Sequence, residues 1–469
     1  MDESSLLQRL YDLLGPQGLL TDPLKMDPFT RETRGLYQGR ALGVASPADT
    51  QQLAAVVRLC HDSGTPVVPQ GGNTGRCGGA VPDASGRQLV LSLKRLDRIR
   101  RLDPADHTIT VEAGCILADI QAAARAKGRL FPLSLGAEGS CYIGGNLATN
   151  AGGLNVLRYG NTRELTLGLE VVLPDGQIWD GLSALRKNNT GYDLKDLFIG
   201  AEGTLGIITA AVLKLFPLPG QRATALVALA ELEDCLELLA RTRAASDDAL
   251  SSFELIPRLG LEFAIRHIPG CRDPLDRPHP WYVLLEMAGN RAMAPALEGL
   301  LEAALADGVI QDGALAGSLE QAAGLWRLRE GLVEGQRFEG GSIKHDISVP
   351  IVRVPEFIRT ASQAVTRELP GVRVLAFGHV GDGNIHYNLA QPPQMDPQAF
   401  LARWEPFNRI VHDIVHTLGG SFSAEHGIGR LKVGEMARYK SPVELELMKR
   451  LKTALDPRGI MNPGKLLPD

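Results

Sequence analysis

Short apolar runs alternate with helical patterns over the first half of the chain. The runs TPVVP (65–69), QLVLSL (88–93) and TITVEAG (108–114) have the length and the β-branched content of strands. Between them, ADTQQLAAVVRLCHDSG (48–64) has apolar residues at helical spacing and ends on a glycine. This alternation indicates an α/β section up to about residue 218, where LKLFPLPGQ, with its prolines and glycine, predicts a boundary.

The pattern changes beyond about residue 222. ATALVALAELEDCLELLARTRA and WYVLLEMAG predict strands and a helix, and a long helical stretch follows from about Ala294. Repeated strands and helices with few glycine loops are typical of an α+β domain with an antiparallel sheet. The end of the chain is mostly helical. We therefore divide the chain into segments 1–218, 219–410 and 411–469.

Composition narrows the class of protein. With 469 residues, 44% of them apolar and 22% charged, the chain has the balance of a globular protein of two or three domains. The net charge of −5, with both signs mixed along the chain, argues against a nucleic-acid partner. The six scattered cysteines predict free thiols. No apolar run reaches the length of about 18 residues needed for a transmembrane helix. The acidic N-terminus does not resemble a signal or transit peptide. We expect a cytoplasmic protein without a transmembrane segment.

Three glycine-rich stretches occur in the first segment. They are VPQGGNTGRCGG (68–79), GAEGSCYIGGNLATNAGG (136–153) and KNNTGYDLKDLFIGAEGTLGIIT (187–209). A single stretch of this kind is usually a turn, but three, each bordered by hydroxyl or amide side chains, indicate a large phosphate-bearing cofactor held by backbone amides. None fits the P-loop pattern, and none has the GxGxxG of a Rossmann site.

GHVGDGNIHYN (378–388) predicts a β-hairpin with two histidines. If Asp382-Gly383 forms a two-residue turn, His379 is paired with His386, and their Cβ atoms lie about 4.5 to 5.5 Å apart on one face. Asn388 points to the same face. Such a pair either makes hydrogen bonds on a sheet surface or supplies two ligands to a metal ion.

A third ligand is available in SFSAEHGIGRLK (421–432). Glu425 is a charged oxygen ligand, and two histidines with one carboxylate leave coordination positions open for a substrate. The stretch by itself is far more typical of an ordinary loop than of a metal site. His412 and His416 are spaced as a helical pair, and without an acidic partner we expect them to be solvated or to cap a helix.

The glycine loops closely resemble those of the vanillyl-alcohol-oxidase superfamily, in its FAD-dependent D-2-hydroxyacid dehydrogenase branch, and the resemblance extends over nearly the whole chain. It implies an α+β fold with a two-lobed FAD-binding domain, an α+β substrate domain with an antiparallel sheet, and a helical C-terminal segment that returns to the FAD domain. Some relatives attach the flavin through a histidine near the first loop. No histidine occurs between His61 and His107, so we expect non-covalent FAD. The cofactor-binding residues that the resemblance implies are Pro69, Gly71, Gly72, Asn73, Thr74, Gly75, Gly79, Gly136, Gly139, Ser140, Gly144, Gly145, Asn146, Thr149, Asn150, Gly152, Gly153, Tyr159, Glu202, Gly203, Gly206, Ile207 and Asn462.

HVGDGNIH and SAEHGIG are similar to the metal-ligand motifs of that branch. The resemblance implies metal ligands at His379, His386 and Glu425 and a catalytic base at His426. Two nitrogens and one oxygen suit Zn²⁺ best, with Mn²⁺ or Fe²⁺ as alternatives.

The resemblance also implies substrate-binding residues in the second segment. Arg329 and Lys344 match carboxylate anchors, and Asn388 lies beside the histidine pair. Relatives that act on D-2-hydroxyglutarate have a hydroxyl residue where this chain has Val333. This departure favours D-lactate or another D-2-hydroxy acid over a dicarboxylate.

These features together predict an enzyme that oxidises a D-2-hydroxy acid to the 2-oxo acid. The substrate is D-2-hydroxyglutarate, D-lactate or a close analogue. The metal binds the hydroxyl and carboxylate oxygens of the substrate, His426 is the general base, and hydride passes to flavin N5. We expect an electron-acceptor protein or a quinone, rather than NAD, and a homodimer is compatible with the sequence. The alternatives are the flavin subunit of a glycolate or lactate oxidase complex, a flavin electron-transfer component without a substrate site, and a zinc hydrolase.

Overall fold

The structure is a computed structural model that describes residues 2–468. The chain forms two compact units. The first contains the residues up to Gly153, Gly160–Leu218 and the residues from Glu425 onward; the second contains Leu154–Tyr159 and Pro219–Ala424. The boundary that the sequence placed after residue 410 lies within a helix, Trp404–Thr417.

The first unit carries eight of the sixteen helices and eleven short strands in the described chain. Its helices are α1 (Glu3–Leu14), α2 (Pro23–Thr30), α3 (Thr50–Ser63), α4 (Leu117–Arg125), α5 (Ile143–Ala148), α7 (Lys195–Phe198), α15 (Val433–Tyr439) and α16 (Pro442–Leu455). Its strands are β1 (Leu19–Leu20), β2 (Ala41–Ala45), β3 (Val67–Gln70), β4 (Gln88–Ser92), β5 (Ile99–Asp103), β6 (Thr108–Glu112), β7 (Arg129–Leu130), β8 (Thr166–Val172), β9 (Ile178–Gly181), β10 (Ile207–Lys214) and β11 (Phe216–Pro217).

Two main sheets organise the first unit. The four-stranded sheet has the order β1-β2-β4-β3, with β4 parallel to both neighbours and β1 antiparallel to β2. The five-stranded sheet, in the order β5-β6-β10-β8-β9, is entirely antiparallel. Strands β7 and β11 form a separate antiparallel pair. The strands predicted from TPVVP, QLVLSL and TITVEAG are confirmed as β3, β4 and β6.

Helix α3 illustrates how local sequence sets an element in this unit. The carboxylate of Asp49 accepts a hydrogen bond from the Gln52 amide and caps the first turn. Gly64 ends the helix in the left-handed conformation, at φ +71°, which a residue with a Cβ atom adopts at a cost. Between the caps, apolar side chains at helical spacing, including Leu53 and Val57, are fully buried.

The second unit contains the remaining helices and strands. Its helices are α6 (Val156–Tyr159), α8 (Asp234–Ser246), α9 (Arg258–His267), α10 (Met293–Ala306), α11 (Leu319–Gly335), α12 (Val354–Glu368), α13 (Pro397–Leu401) and α14 (Trp404–Thr417), with 3₁₀ turns at Gln336–Phe338 and Ile351–Arg353. Its strands are β12 (Gln221–Leu229), β13 (Leu250–Pro257), β14 (Trp281–Gly289), β15 (Asp312–Leu315), β16 (Ser342–Ser348), β17 (Arg373–Phe377) and β18 (Asn384–Ala390).

Both sheets of the second unit are antiparallel, with strand orders β13-β14-β12-β15 and β16-β18-β17. Along β18, Ile385, Tyr387 and Leu389 belong to the main apolar core of the unit. Because side chains alternate across a strand, His386 and Asn388 lie on the opposite face. The α+β class is confirmed, and no helix over residues 2–468 combines the length and apolar character needed to cross a bilayer.

Candidate active site

The three glycine loops line one cavity in the first unit. Cys141, Tyr142, Phe198 and His426, which sequence reasoning did not assign to the cofactor, are also on its wall. The expected cofactor-binding residues that line it are Pro69, Gly71, Gly72, Asn73, Thr74, Gly75, Gly79, Gly144, Gly145, Asn146, Thr149, Glu202, Gly203, Gly206 and Ile207.

Eight expected cofactor-binding residues lie off this wall: Gly136, Gly139, Ser140, Asn150, Gly152, Gly153, Tyr159 and Asn462. Several of them make structural contacts. The Asn150 side chain accepts from the Arg163 amide, and the hydroxyl of Ser140 faces the carbonyl of Ala137. The amide nitrogen of Asn462 donates to the carbonyls of Gly79 and Glu202, at 3.0 and 2.7 Å, and so joins two walls of the cavity. Direct contact of these residues with FAD stays a prediction.

The cavity suits a phosphate-bearing flavin. The backbone amides of Gly71 to Gly75 donate no hydrogen bond to the chain over residues 2–468, so a row of donors is left for an anion. A Cβ atom on Gly75 or Gly145 would meet no atom within 4 Å, which leaves space beside the backbone of both loops. Among the described residues, the buried Oδ1 of Asn146 has no donor, and a ligand N–H would satisfy it. These groups fit FAD.

Glu202 connects the third glycine loop to the segment that follows His426. Its two carboxylate oxygens accept from the amides of Ile428 and Gly429, at 2.7 and 2.8 Å. Burial raises the pKa of Glu202, although these hydrogen bonds oppose the shift. Gly427 adopts φ +71°, and a Cβ atom there would lie 2.7 Å from Glu202 Oε1. The backbone after His426 therefore has a fixed course beside the cavity.

His379, His386 and Glu425 form a cluster of ligand atoms. One atom from each residue lies within 4.8 Å of the others, and the two imidazole centroids are 5.4 Å apart. Glu425 is covalently joined to Ala424, the last residue of the second unit, and the Ala424 amide donates to the Asp346 carbonyl on β16. Two nitrogens and one oxygen at this spacing fit a divalent cation.

The predicted register of the histidine hairpin is wrong. His386 is paired with Phe377 rather than with His379, and the connection between β17 and β18 runs over six residues, 378–383. Gly378, at φ +136°, turns away from the sheet and forms a β-bridge with Leu255 on β13. His379 therefore lies in a loop, and the pair is brought together by this loop rather than by a two-residue Asp-Gly turn.

Glu254 on β13 is a member of the site that sequence reasoning missed. Its Oε1 lies 2.5 Å from His379 Nδ1, and its Oε2 accepts from Arg329 Nε at 2.8 Å. Burial alone would raise the pKa of Glu254, but the charges of His379 and Arg329 and their hydrogen bonds lower the pKa to about 2. The available signal was a single carboxylate inside SSFELIP, an otherwise uncharged strand sequence.

The expected substrate residues fall in two places in the second unit. Arg329, on α11, is 5% exposed and also stacks on the Phe377 ring, with its guanidinium carbon 4.9 Å from the ring centroid. Lys344 and Asn388 are cross-strand partners on β16 and β18; Lys344 is exposed, and Asn388 donates to Gln336 at 2.8 Å. Val333 packs against the apolar cluster around Leu328 and Leu332.

His412 is buried, whereas the sequence predicted a solvated residue or a helix cap. It is 4% exposed, and its ring makes an edge contact with His345, with the centroids 5.7 Å apart. The expectation failed because the exposed and buried faces of α14 were not distinguished. His416, on the same helix, is exposed as expected.

Comparison with known families decides what kind of protein carries this site. The family described as FAD linked oxidases, C-terminal domain, matches residues 218–466, more than half of the chain, and a FAD binding domain matches residues 41–181. The chain belongs to the FAD-linked oxidase family. It is an FAD-dependent oxidoreductase, and the resemblance seen in its glycine loops is confirmed.

Relatives of the FAD-linked oxidase match nearly its whole length. A D-2-hydroxyglutarate dehydrogenase of Xanthomonas citri pv. viticola is 38% identical over 450 residues, 96% of this chain and 94% of the relative. A putative mitochondrial D-lactate dehydrogenase of Schizosaccharomyces pombe is 38% identical over 477 residues, 98% of this chain and 89% of the relative. The crystal structure of p-cresol methylhydroxylase shares the fold at 17% identity, with a TM-score of 0.77 over 98% of this chain and 96% of that one.

Proposed function

We propose that this FAD-linked oxidase converts a D-2-hydroxy acid to the corresponding 2-oxo acid and requires a divalent cation at His379, His386 and Glu425. One observation carries the proposal. Glu425 belongs to the cluster of ligand atoms, and the next residue, His426, lines the flavin cavity. Consecutive residues thus join a candidate cation site to the cofactor cavity. The names of the two relatives support the substrate class.

Each group would supply defined chemistry when bound: FAD accepts two electrons, and a divalent cation supplies positive charge for the hydroxyl and carboxylate oxygens of the substrate. The protein supplies the remaining functions. In this proposal His426 accepts the hydroxyl proton. The amides of Ile428 and Gly429 donate hydrogen bonds to the Glu202 carboxylate, and these bonds hold His426 at the cavity wall.

The basic residues of the second unit bind the substrate carboxylate in this proposal. The terminal amino groups of Arg329 make no hydrogen bond to any residue between 2 and 468, so they remain available to an anion. Lys344 supplies a second positive charge, and its strand partner Asn388 supplies an amide. Val333 offers no hydroxyl for a distal carboxylate, which favours D-lactate and other D-2-hydroxy monocarboxylates over D-2-hydroxyglutarate.

Spectroscopy of the purified protein tests the reaction class. The preparation should be yellow and release its flavin on acid precipitation, because we propose non-covalent FAD. A panel of D- and L-2-hydroxy acids should bleach the flavin under anaerobic conditions only with D enantiomers. A colourless protein that takes up no added FAD would contradict the proposal, and a yellow protein bleached by no member of the panel would favour an electron-transfer component or a subunit that needs a partner.

Metal removal and two substitutions test the roles of the residues. Chelation and His386→Ala should abolish bleaching while the flavin stays bound, because neither change touches the cavity wall.

His426→Ala should slow flavin reduction by about 10²- to 10⁴-fold at unchanged FAD and metal content. The control His416→Ala, at an exposed helical position, should behave as the wild type. Full bleaching by the His386→Ala protein would remove the cation from the mechanism.

Two further parts of the proposal concern the surroundings of the enzyme. Electrons leave to an acceptor protein or a quinone, which dye-linked assays with and without added quinone can distinguish. The cytoplasmic location stays a prediction, since the name of the Schizosaccharomyces pombe relative places that protein in mitochondria.

A further inference from the structure

Glu254 holds two basic groups at once. Its side chain is 1% exposed, and each carboxylate oxygen has a different partner: His379 Nδ1 on Oε1 and Arg329 Nε on Oε2. The three residues come from three separate elements, β13, α11 and the loop after β17. A buried carboxylate with one oxygen committed to each partner fixes the distance between them.

The contact on His379 determines which ring nitrogen is available. An imidazole that donates its Nδ1 proton to a carboxylate has its lone pair on Nε2, and a carboxylate in this position also raises the basicity of the ring as a ligand. Glu254 therefore selects the form of His379 that binds a cation through Nε2.

The contact on Arg329 determines what the guanidinium can still bind. Nε is committed to Glu254, and the stacking on Phe377 fixes the plane of the group. The two terminal amino groups remain, and they form the fork that matches a carboxylate. Phe377 is also the strand partner of His386, with ring centroids 5.2 Å apart, so a second route joins the arginine to the histidine pair.

We propose that Glu254 is a positioning residue that couples cation binding at His379 to carboxylate binding at Arg329. This inference rests on the proposed function and deepens it. Glu254 touches neither substrate nor flavin in the proposal. It acts by holding a metal ligand and a substrate anchor in one geometry, so that a change at one site alters the other.

Glu286 provides a matched control. It lies on the neighbouring strand β14, is 6% exposed and pairs with Arg222 at 2.9 Å, so it is also a buried carboxylate bonded to an arginine. It makes no contact with any of the three metal-ligand residues in the described chain. A purely structural role predicts the same effects for Glu254→Gln and Glu286→Gln.

The experiment uses the flavin-loaded full chain, stripped of metal, and titrates it with Zn²⁺ against a competing chelator dye. Glu254→Gln should lower the zinc affinity by about 10- to 100-fold at unchanged FAD content. Pyruvate binding, followed by the flavin spectrum, should be strengthened by zinc in the wild type and much less in Glu254→Gln. Glu286→Gln should change neither quantity by more than about twofold, even if its melting temperature falls.

The outcomes separate this inference from the proposed function. If the wild type binds zinc in a His386-dependent way and a folded Glu254→Gln protein binds it within threefold of wild type, the inference is overturned and the proposed function stands. If the wild type itself binds no zinc, the proposed function fails first. Should Glu254→Gln not fold, Glu254→Asp keeps the charge and shortens the reach; it should still weaken zinc binding, and wild-type affinity in that variant would also overturn the inference.

Discussion

Glu339 shows how one carboxylate can organise several basic side chains of the second unit. It accepts from Arg266 at 2.8 Å and from Arg373 at 2.5 Å, and it lies 2.7 Å from His267 Nε2. Burial alone would raise the pKa of Glu339, but the hydrogen bonds from His267, Arg373 and Arg266 lower the pKa to about 2. Because the pKa in the folded state is below the ordinary value, this carboxylate stabilises the fold above about pH 4.5, and the stabilisation is lost as the pH falls towards 2.

Glu339→Gln should therefore lower the free energy of unfolding at pH 7 by roughly 1 to 2 kcal/mol, since the arginine partners are partly exposed. The difference from the wild type should be constant down to about pH 5 and shrink below it. Urea titrations followed by tryptophan fluorescence suit the test, because Trp281, Trp326 and Trp404 all lie in the second unit. A difference that grows on acidification would contradict the argument.

Individual site residues differed in how far the sequence could predict them. His379, His386 and Glu425 were expected together because two motifs resemble those of a family, and their ligand atoms do lie within 4.8 Å. Glu254 was not expected, because a single glutamate in a strand carries no motif. Its role depends on two residues that are 75 and 125 positions away in the chain.

At the scale of elements, strands were easier to predict than their register. The apolar runs that became β4, β12 and β14 are buried over most of their length, so the apolar pattern and the burial agree. The loop between β17 and β18 was misjudged because its course depends on the bridge between Gly378 and Leu255, a contact between distant residues. The local preference of an Asp-Gly pair predicts a two-residue turn, and it carries no information about a contact between distant residues.

The same loop provides a test of how strictly its shape is required. Gly383 adopts φ +85°, and a Cβ atom would lie 2.2 Å from the Val349 carbonyl. Gly383→Ala should shift the loop that carries His379 and weaken zinc binding at least about tenfold, through both the strain and the clash. Zinc titration and flavin content are the measurements, and the flavin should be retained because the loop belongs to the second unit.

Gly371→Ala is the control for that substitution. Gly371 has nearly the same conformation, φ +86°, but a Cβ atom would meet only ordinary contacts, at 3.7 Å or more, with Pro392. It should cost about 1 kcal/mol of stability and leave zinc binding unchanged. Equal zinc affinities for the two alanine variants would show that the loop does not need its present course.

At the scale of the whole molecule, the first unit is built from three separate stretches of chain. The last stretch completes its four-stranded sheet: Met461 forms a parallel bridge with Val67 on β3, and the Asn462 amide donates to the Val67 carbonyl. The side chain of Asn462 then joins two walls of the flavin cavity through Gly79 and Glu202.

A chain that stops after Ala424 should consequently retain no FAD, although it contains all three glycine loops and the whole second unit. Absorbance at the flavin bands, measured against protein concentration, tests this. Adding the missing stretch as a separate polypeptide should restore part of the flavin binding. A yellow truncated protein would show that the last stretch is dispensable for the cofactor.

This arrangement has a consequence for biosynthesis. A ribosome releases β3 early and the residues around Met461 only after the entire second unit has been made. Throughout that interval the outer edge of β3 has no neighbour, and an open strand edge invites pairing with other chains. Cofactor capture must then wait for this stretch, and cells that overproduce the polypeptide faster than the sheet is completed should accumulate aggregated, flavin-free material in which this edge is exposed.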